Sequence, residues 1–274
     1  MRIRATKVAI LGAGEVASGV ALRLHRCGFS LLLTEVEEPR AIRRLVAFSE
    51  AVFDGRAAVE EARAARVVSL AEADAARERG EIPVLVDSEG RVWPAWNPDV
   101  LVDARMLKGS HGLSRSSAPL VIGLGPGFTV GGDCHLVIET LRGHEMGRVL
   151  ANGSTAPNTG VPAERAGEGA RRVFRAPTDG IFNSDRRLGD LLEAGDEVAR
   201  VGESPCVTAI GGMLRGLLRP GLLVRAGEKV GDVDPRGSQV NPHTVSDRSL
   251  AIAGGVLEAI LSSRPARGEG PRIP

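Results

Sequence analysis

The feature that most constrains this chain is the turn Gly12-Ala13-Gly14-Glu15-Val16-Ala17. It lies between the apolar run Val8-Ala9-Ile10-Leu11 and a segment whose apolar residues Val16, Val20, Leu22 and Leu24 recur at helical spacing. A strand that feeds a helix through Gly-x-Gly-x-x-Ala uses glycine at the tight turn and again where backbone must approach a ligand. It then needs a small residue where helix packs on strand. The amides at the helix start point outward and suit an anion. The helix is expected to end at Gly28, and Phe29 to Thr34 reads as a second buried strand. Glu35 closes that strand about 20 residues after the turn, where an acid can accept from a ribose diol. Gly12, Gly14, Glu15, Ala17 and Glu35 are therefore candidate nucleotide-binding residues. The plain alternative is a turn that packs tightly and binds nothing, with Glu35 a solvated charge beside Arg40.

Further apolar runs occur at Val84-Leu85-Val86, Val100-Leu101-Val102, Leu120-Val121-Ile122 and Leu136-Val137-Ile138, separated by Ala- and Arg-rich segments such as Ala71 to Arg79. This alternation predicts an α/β, Rossmann-like N-terminal domain over residues 1–150, with a mostly parallel sheet covered by helices. Residues 151–171 are rich in Gly, Pro, Ser, Thr and Asn and read as a linker or long loop. From 172 to 236 short apolar pieces alternate with glycine turns, the punctuation of a small all-β domain. Gly189-Asp190-Leu191-Leu192-Glu193-Ala194-Gly195-Asp196-Glu197-Val198 is echoed by Pro220-Gly221-Leu222-Leu223-Val224-Arg225-Ala226-Gly227-Glu228-Lys229-Val230, which suggests two similar units. That pattern, with Arg175 to Ile181, resembles a barrel-sandwich domain of the biotinyl/lipoyl type. Such carriers hold their cofactor on a lysine at the central hairpin, and Gly202 to Ala209 contains none, so no covalent biotin or lipoate is expected. Residues 237–274 read as a terminal helix, Thr244 to Ser262 with Ser246 and Asp247 as caps, and a tail.

The charge balance narrows the partners. With 35 Lys and Arg against 34 Asp and Glu, the net charge of +1 makes no field that would gather nucleic acid or an anionic membrane. A small-molecule nucleotide or another protein is expected instead, and association into a homo-oligomer stays open. Cys27, Cys134 and Cys206 are scattered and odd in number, which suits a reducing compartment. The basic start Met1-Arg2-Ile3-Arg4 leads into an apolar run that stops at Gly12 and Gly14, too short for a signal peptide. A cytoplasmic location without a membrane span is the expectation.

Two more constellations carry chemistry. Gly123-Leu124-Gly125-Pro126-Gly127-Phe128 follows a strand, and alternate glycines let backbone amides form a concave anion site at the sheet edge. A tight turn stiffened by Pro126 explains the same residues. Beyond it come Asp133-Cys134-His135, Glu139, Arg142-Gly143-His144 and Asn158-Thr159-Gly160, with Asp103 and Lys108 ending another strand. Thiol, imidazole and carboxylate can bind metal or supply a nucleophile. Yet Cys134 and His135 are neighbours, which on a strand face opposite ways. Asp133, His135, Glu139, Arg142, His144 and Lys108 therefore stay as further candidates, with no metal site expected and no catalytic residue assigned.

Read together, Gly12 to Gly19, Thr34 to Arg44, Ile122 to Phe128, Glu139-Thr140-Leu141-Arg142-Gly143-His144 and Gly231-Asp232-Val233-Asp234-Pro235-Arg236 resemble the YqeB family, from about Lys7 to about Leu261. The resemblance implies an accessory protein in the maturation or cofactor loading of selenium-dependent molybdenum hydroxylases. A nucleotide or molybdopterin dinucleotide would be its cofactor and a client hydroxylase its partner. It supplies no established catalytic residue. At Asn241-Pro242-His243 the family pattern implies a cysteine that this chain lacks, which puts any selenium or sulfur step in doubt. An NAD-dependent oxidoreductase and a non-catalytic scaffold remain the alternatives.

Overall fold

A computed structural model describes residues 5–107, 112–158, 160, 164 and 166–263. The chain divides into two compact units, the first formed by Met1–Pro39, Ala47–Asn158 and Val245–Pro274, the second by Arg40–Val46 and Thr159–Thr244.

In the first unit, β1 (Lys7–Leu11), β2 (Ser30–Glu35), β3 (Arg56–Val59), β4 (Ala62–Val67), β5 (Ile82–Val86), β6 (Val100–Asp103), β7 (Leu120–Leu124), β8 (Leu136–Ile138) and β9 (Val149–Leu150) form one sheet. Its nine strands run in the order β3-β4-β5-β2-β1-β6-β7-β8-β9. The inner pairs are parallel, from Ala64↔Ile82 through Ala9↔Leu32 and Ala9↔Leu101 to Gly123↔Val137. The outermost pairs, β3 with β4 and β8 with β9, are antiparallel. One face buries Leu11, Leu32, Leu85, Leu101 and Val121 against Ala73 and Ala76 of α3 (Leu70–Glu78) and against Trp93 and Trp96. The Trp96 ring lies 5.2 Å from Lys7 Nζ and 4.9 Å from the Arg77 guanidinium, cations that its electron-rich faces attract.

On α1 (Glu15–Arg26), Val16 through Leu22 and Leu24 are all buried, more of the circumference than an amphipathic helix hides. The cover is α4 (Asp247–Ser262), which returns from the far end of the chain. Gly19 lets the two helices close, because a Cβ there would stand 2.7 Å from Ser249 Cβ. Ser246 caps α4 by accepting from the Ser249 amide at 3.3 Å.

The second unit holds β10 (Val173–Arg175), β11 (Gly180–Asn183), β12 (Leu191–Leu192), β13 (Glu197–Val201), β14 (Ser204–Val207), β15 (Gly212–Leu217), β16 (Leu223–Val224) and β17 (Lys229–Asp234). They make two four-stranded sheets, β10-β17-β15-β12 and β14-β13-β11-β16, in which every pair is antiparallel. The internal echo is a shared arm: a two-residue strand, a glycine turn, then a longer strand in the opposite sheet. Gly195 and Gly227 take φ of +93° and +80° in the two turns. Each turn is held by a carboxylate one residue on, Asp196 accepting from the Glu193 amide and Glu228 from the Arg225 amide, at 3.0 and 3.2 Å. Residues 40–46 add to this unit through Ile42 O, which accepts from Leu217 N at 2.8 Å, and through Arg40, which donates to Glu228 and to Leu223 O.

The architecture expected from the sequence is therefore corrected. A Rossmann-like domain covers its parallel sheet with a helix in each crossover. Among the described residues, the connections β5 to β6, β6 to β7 and β7 to β8 contain no α-helix, and antiparallel strands close both edges, so the sheet is large and mixed. The Ala- and Arg-rich stretch from Arg56 to Val67 is a hairpin turning on Glu60 at φ +53°. The small barrel-sandwich gives way to two separate antiparallel sheets, each bounded at one end by a two-residue strand, β12 or β16. Among the described residues, no helix is long and apolar enough to cross a membrane.

Candidate functional site

The first glycine turn leaves β1 at the carboxyl edge of the parallel strands. Gly12 donates its amide to Thr34 O at 2.8 Å and takes φ +95°, and a Cβ on it would stand 3.3 Å from the Ala104 carbonyl oxygen. Glycine is required there on both counts. Gly14 is the N-cap of α1 in extended geometry, no side chain caps the helix, and nothing lies within 4 Å of the place its Cβ would take. The helix thus begins with outward-facing amides and open space before them. Ala17 is fully buried, so its size serves packing. The turn is braced from behind: Ala13 O accepts from Ser18 Oγ and Ser49 N, each at 2.9 Å, and Ser18 Oγ accepts from Phe48 N at 2.8 Å.

Glu35 faces the turn. Its Oε2 accepts from the Ala13 amide and its Oε1 from the Val36 amide, both at 2.8 Å. Burial pushes its carboxyl up, the Val36 and Ala13 amides pull it partly back, and it rests above the ordinary value. One amide of the glycine turn is thus already engaged by a carboxylate of the chain. A diphosphate would meet the amides that follow, from Gly14 onward, with Glu35 left as an acceptor beside it.

The second glycine turn follows β7, with β6 standing between it and β1. The missing side chain of Gly123 makes room for the Phe128 ring. Gly125, at φ +77°, gives its amide to Ile138 O at 3.0 Å, and a Cβ on it would stand 2.5 Å from Thr140 Oγ1. Gly127 is also left-handed, at φ +102°. Close packing and an internal hydrogen bond thus occupy Gly123 and Gly125. At the end of β6, buried Asp103 accepts from Arg105 Nε at 3.0 Å and NH2 at 2.6 Å, which places a guanidinium next to the strand that separates the turns.

The remaining candidates hold their own backbone. Asp133 Oδ2 accepts from Thr129 N at 2.8 Å. Cys134 is fully buried, its thiol pushed by burial up to about 11, which disfavours the thiolate a nucleophile needs. His135 Nδ1 accepts from Val121 N at 3.0 Å. Glu139 is buried, its Oε1 accepting from Thr140 and Leu141 amides at 2.7 Å and its Oε2 from Ala156 N at 2.8 Å. Arg142 pairs with Asp247 at 2.7 Å, and His144 lies exposed in a turn. Lys108 falls outside the described residues. Among the described residues, no group of three or more His, Cys, Asp or Glu is placed to hold a metal ion.

Sequence reasoning missed Arg248. Its Nε donates to Thr140 O at 3.1 Å, beside the second turn, while Glu15 of α1 acts on its charge. Burial lowers its pKa, with Arg142 adding to the effect. No local signal marks it, since it comes to this edge only because α4 packs on α1.

These observations define a mixed-sheet α/β protein with an uncapped helix N-terminus at the ends of its parallel strands. No family model matches the chain. The chain is similar to YqeB, an uncharacterized protein of Escherichia coli (strain K12), with 49% identity over 254 residues that cover 93% of this chain and 47% of that protein. The chain spans about half the length of the curated relative it matches. The similarity supports the YqeB family read from the motifs. Among solved structures, an aspartoacylase family protein from Mesorhizobium loti is 14% identical, over 83% of this chain and 84% of that one, with a TM-score of 0.26. The apo ectoine utilization protein EutE (DoeB) from Ruegeria pomeroyi is 12% identical, over 84% and 86%, with a TM-score of 0.24. At these TM-scores the likeness carries no argument.

Proposed function

We propose that the protein is an accessory factor in the maturation or cofactor loading of selenium-dependent molybdenum hydroxylases, and that it binds a nucleotide or molybdopterin dinucleotide at the first glycine turn. The observation that carries the binding half is the uncapped start of α1 at Gly14, open in front, with the Glu35 carboxylate alongside. Successive amides at a helix N-terminus favour a diphosphate, and a carboxylate held at a fixed point accepts from ribose hydroxyls. The hydroxylase half rests on what the motif resemblance to the YqeB family implies; the 49% identity to an uncharacterized YqeB protein supports that family and carries no statement about hydroxylases. The second unit is the part proposed to dock the client enzyme.

Thermal unfolding with mononucleotides, dinucleotides and molybdopterin species tests the binding half. A ligand at a hundredfold excess over its Kd stabilises the native state by about 2.7 kcal/mol, a rise of roughly 5–10 °C in Tm for a chain of this size. Gly14→Leu fills the open space and is expected to abolish that rise while lowering the Tm of the unliganded protein only slightly. The absence of any shift in the unsubstituted protein across all three ligand classes sinks the reading. For the hydroxylase half, co-purification of a molybdenum hydroxylase with the tagged protein is expected, and its loss on removing the second unit locates the docking surface.

A further inference from the structure

The second unit buries a charged cluster that the glycine turn does not use. Asp232 on β17 is 1% exposed; its Oδ2 accepts from Arg43 NH2 at 2.7 Å and stands 3.4 Å from Lys229 Nζ. Arg172, also buried, lies within electrostatic reach of both Asp232 and Lys229. Among the described residues, the charged groups acting on Lys229 are thus one carboxylate and two guanidiniums. Burial lowers the pKa of Lys229 most, Arg43 and Arg172 push the same way, and Asp232 opposes them without restoring the ordinary value. The Lys229 side chain is 40% exposed, so solvent screens part of this effect and a solute can reach the amine.

The residue type sharpens the point. Only three of the 35 basic residues are lysines, and one of them stands here, next to two arginines. A guanidinium stays charged at any ordinary pH, whereas an amine in a positive surrounding can release its proton or recruit an anion. Phosphate carries about −1.5 to −2 at neutral pH and offers oxygens that planar guanidinium donors match.

We propose that Arg43, Arg172 and Lys229 form a binding site for a small phosphate-bearing ligand, the guanidiniums holding the phosphate and the lysine amine facing the rest of the molecule. The site lies wholly within the second unit and is independent of the glycine turn.

Pyridoxal 5′-phosphate with borohydride reads the site directly. The neutral amine adds to the aldehyde carbon, water leaves to give an imine, and borohydride delivers hydride to that carbon while solvent protonates nitrogen. Peptide mapping then compares Lys229 with Lys7 and Lys108. Lys229 is expected to be trapped faster than the other two. Pyridoxal without its phosphate should lose that preference, and excess inorganic phosphate should protect Lys229. In Arg43→Gln both rates should fall, because Lys229 loses a neighbouring positive charge and holds its proton more firmly, and the ratio of the pyridoxal phosphate rate to the pyridoxal rate should fall with them. The comparisons on the unsubstituted protein need no variant to fold. Equal trapping of Lys229 by pyridoxal and its phosphate, or trapping that phosphate leaves untouched, overturns the proposal and leaves the cluster as a brace between Arg43 and β17.

Discussion

His135 shows how one side chain links the fold to pH. Its Nδ1 accepts the Val121 amide, which it can do only while the ring is neutral. Burial, and then Arg115, hold its pKa below the usual 6.5. The unfolded chain therefore takes up this proton at a higher pH than the folded one. The stabilising contribution is complete above the unfolded value and is lost as pH falls through the folded one. His25, lowered by burial against the pull of Glu61, acts in the same direction. Tm is expected to drop between about pH 7.5 and about pH 5, and His135→Asn, which keeps an acceptor, to flatten part of that slope. An identical slope in the variant would assign the effect to other groups. The glycines of the first turn separate by a second measurement. Gly12→Ala forces a left-handed φ on alanine and presses its Cβ against Ala104, a cost of about 1–3 kcal/mol in urea unfolding. Gly14→Ala meets neither obstacle and should cost less than about 1 kcal/mol. Equal losses would mean that the two glycines share one packing role.

At the scale of elements, the adjacent glycines of α4 have opposite reasons to be there. A Cβ on Gly255 would strike the Gly147 carbonyl and come within 2.9 Å of Ile138 Cγ2, whereas one on Gly254 meets only the end of the Arg23 side chain at 3.4 Å. Gly254→Ala is expected to stabilise by up to about 1 kcal/mol through helix propensity, and Gly255→Ala to destabilise by about 1–3 kcal/mol through overpacking. Hydrogen exchange should quicken in α4 and at the Gly147 bend only in the second variant. The strands β1, β2, β5, β6, β7 and β8 were legible in the sequence because each is an apolar run buried in the sheet. The β3–β4 hairpin was not. Alanine at 57, 58, 62, 64 and 65 has no strand preference of its own, and its pairing with β5 comes from tertiary contact. The missing crossover helices had no marker either, so apolar runs in the right order suggested a doubly wound domain that the chain does not build. In the site, the positions of Gly12, Gly14 and Glu35 were legible, but not that Glu35 would take the Ala13 amide. That bond depends on how β2 and β1 lie side by side.

The largest consequence of the chain's path is that its first unit is completed last. Residues 245–274 belong to that unit, although the whole of the 159–244 segment intervenes. On α4, Ile252, Val256 and Ile260 are fully buried, and α1 is covered by this helix on its outer side. Burying three such side chains is worth roughly 1.5–3 kcal/mol each, and a typical domain is stable by only about 5–15 kcal/mol in total. A chain ending at Thr244 therefore forfeits a large fraction of the first unit's stability before any cavity penalty is added. The second unit keeps all of its parts in that shortened chain, including Arg40–Val46 with the Arg43 contact to Asp232. Hydrogen exchange read by mass spectrometry is expected to show β1, β6 and β7 exchanging freely in the shortened chain while β15 and β17 remain protected. Loss of protection in both sets together would show that the two units unfold as one. Retained protection in both would show that the sheet and α1 hold without their cover, and that the apolar face of α4 serves some other contact.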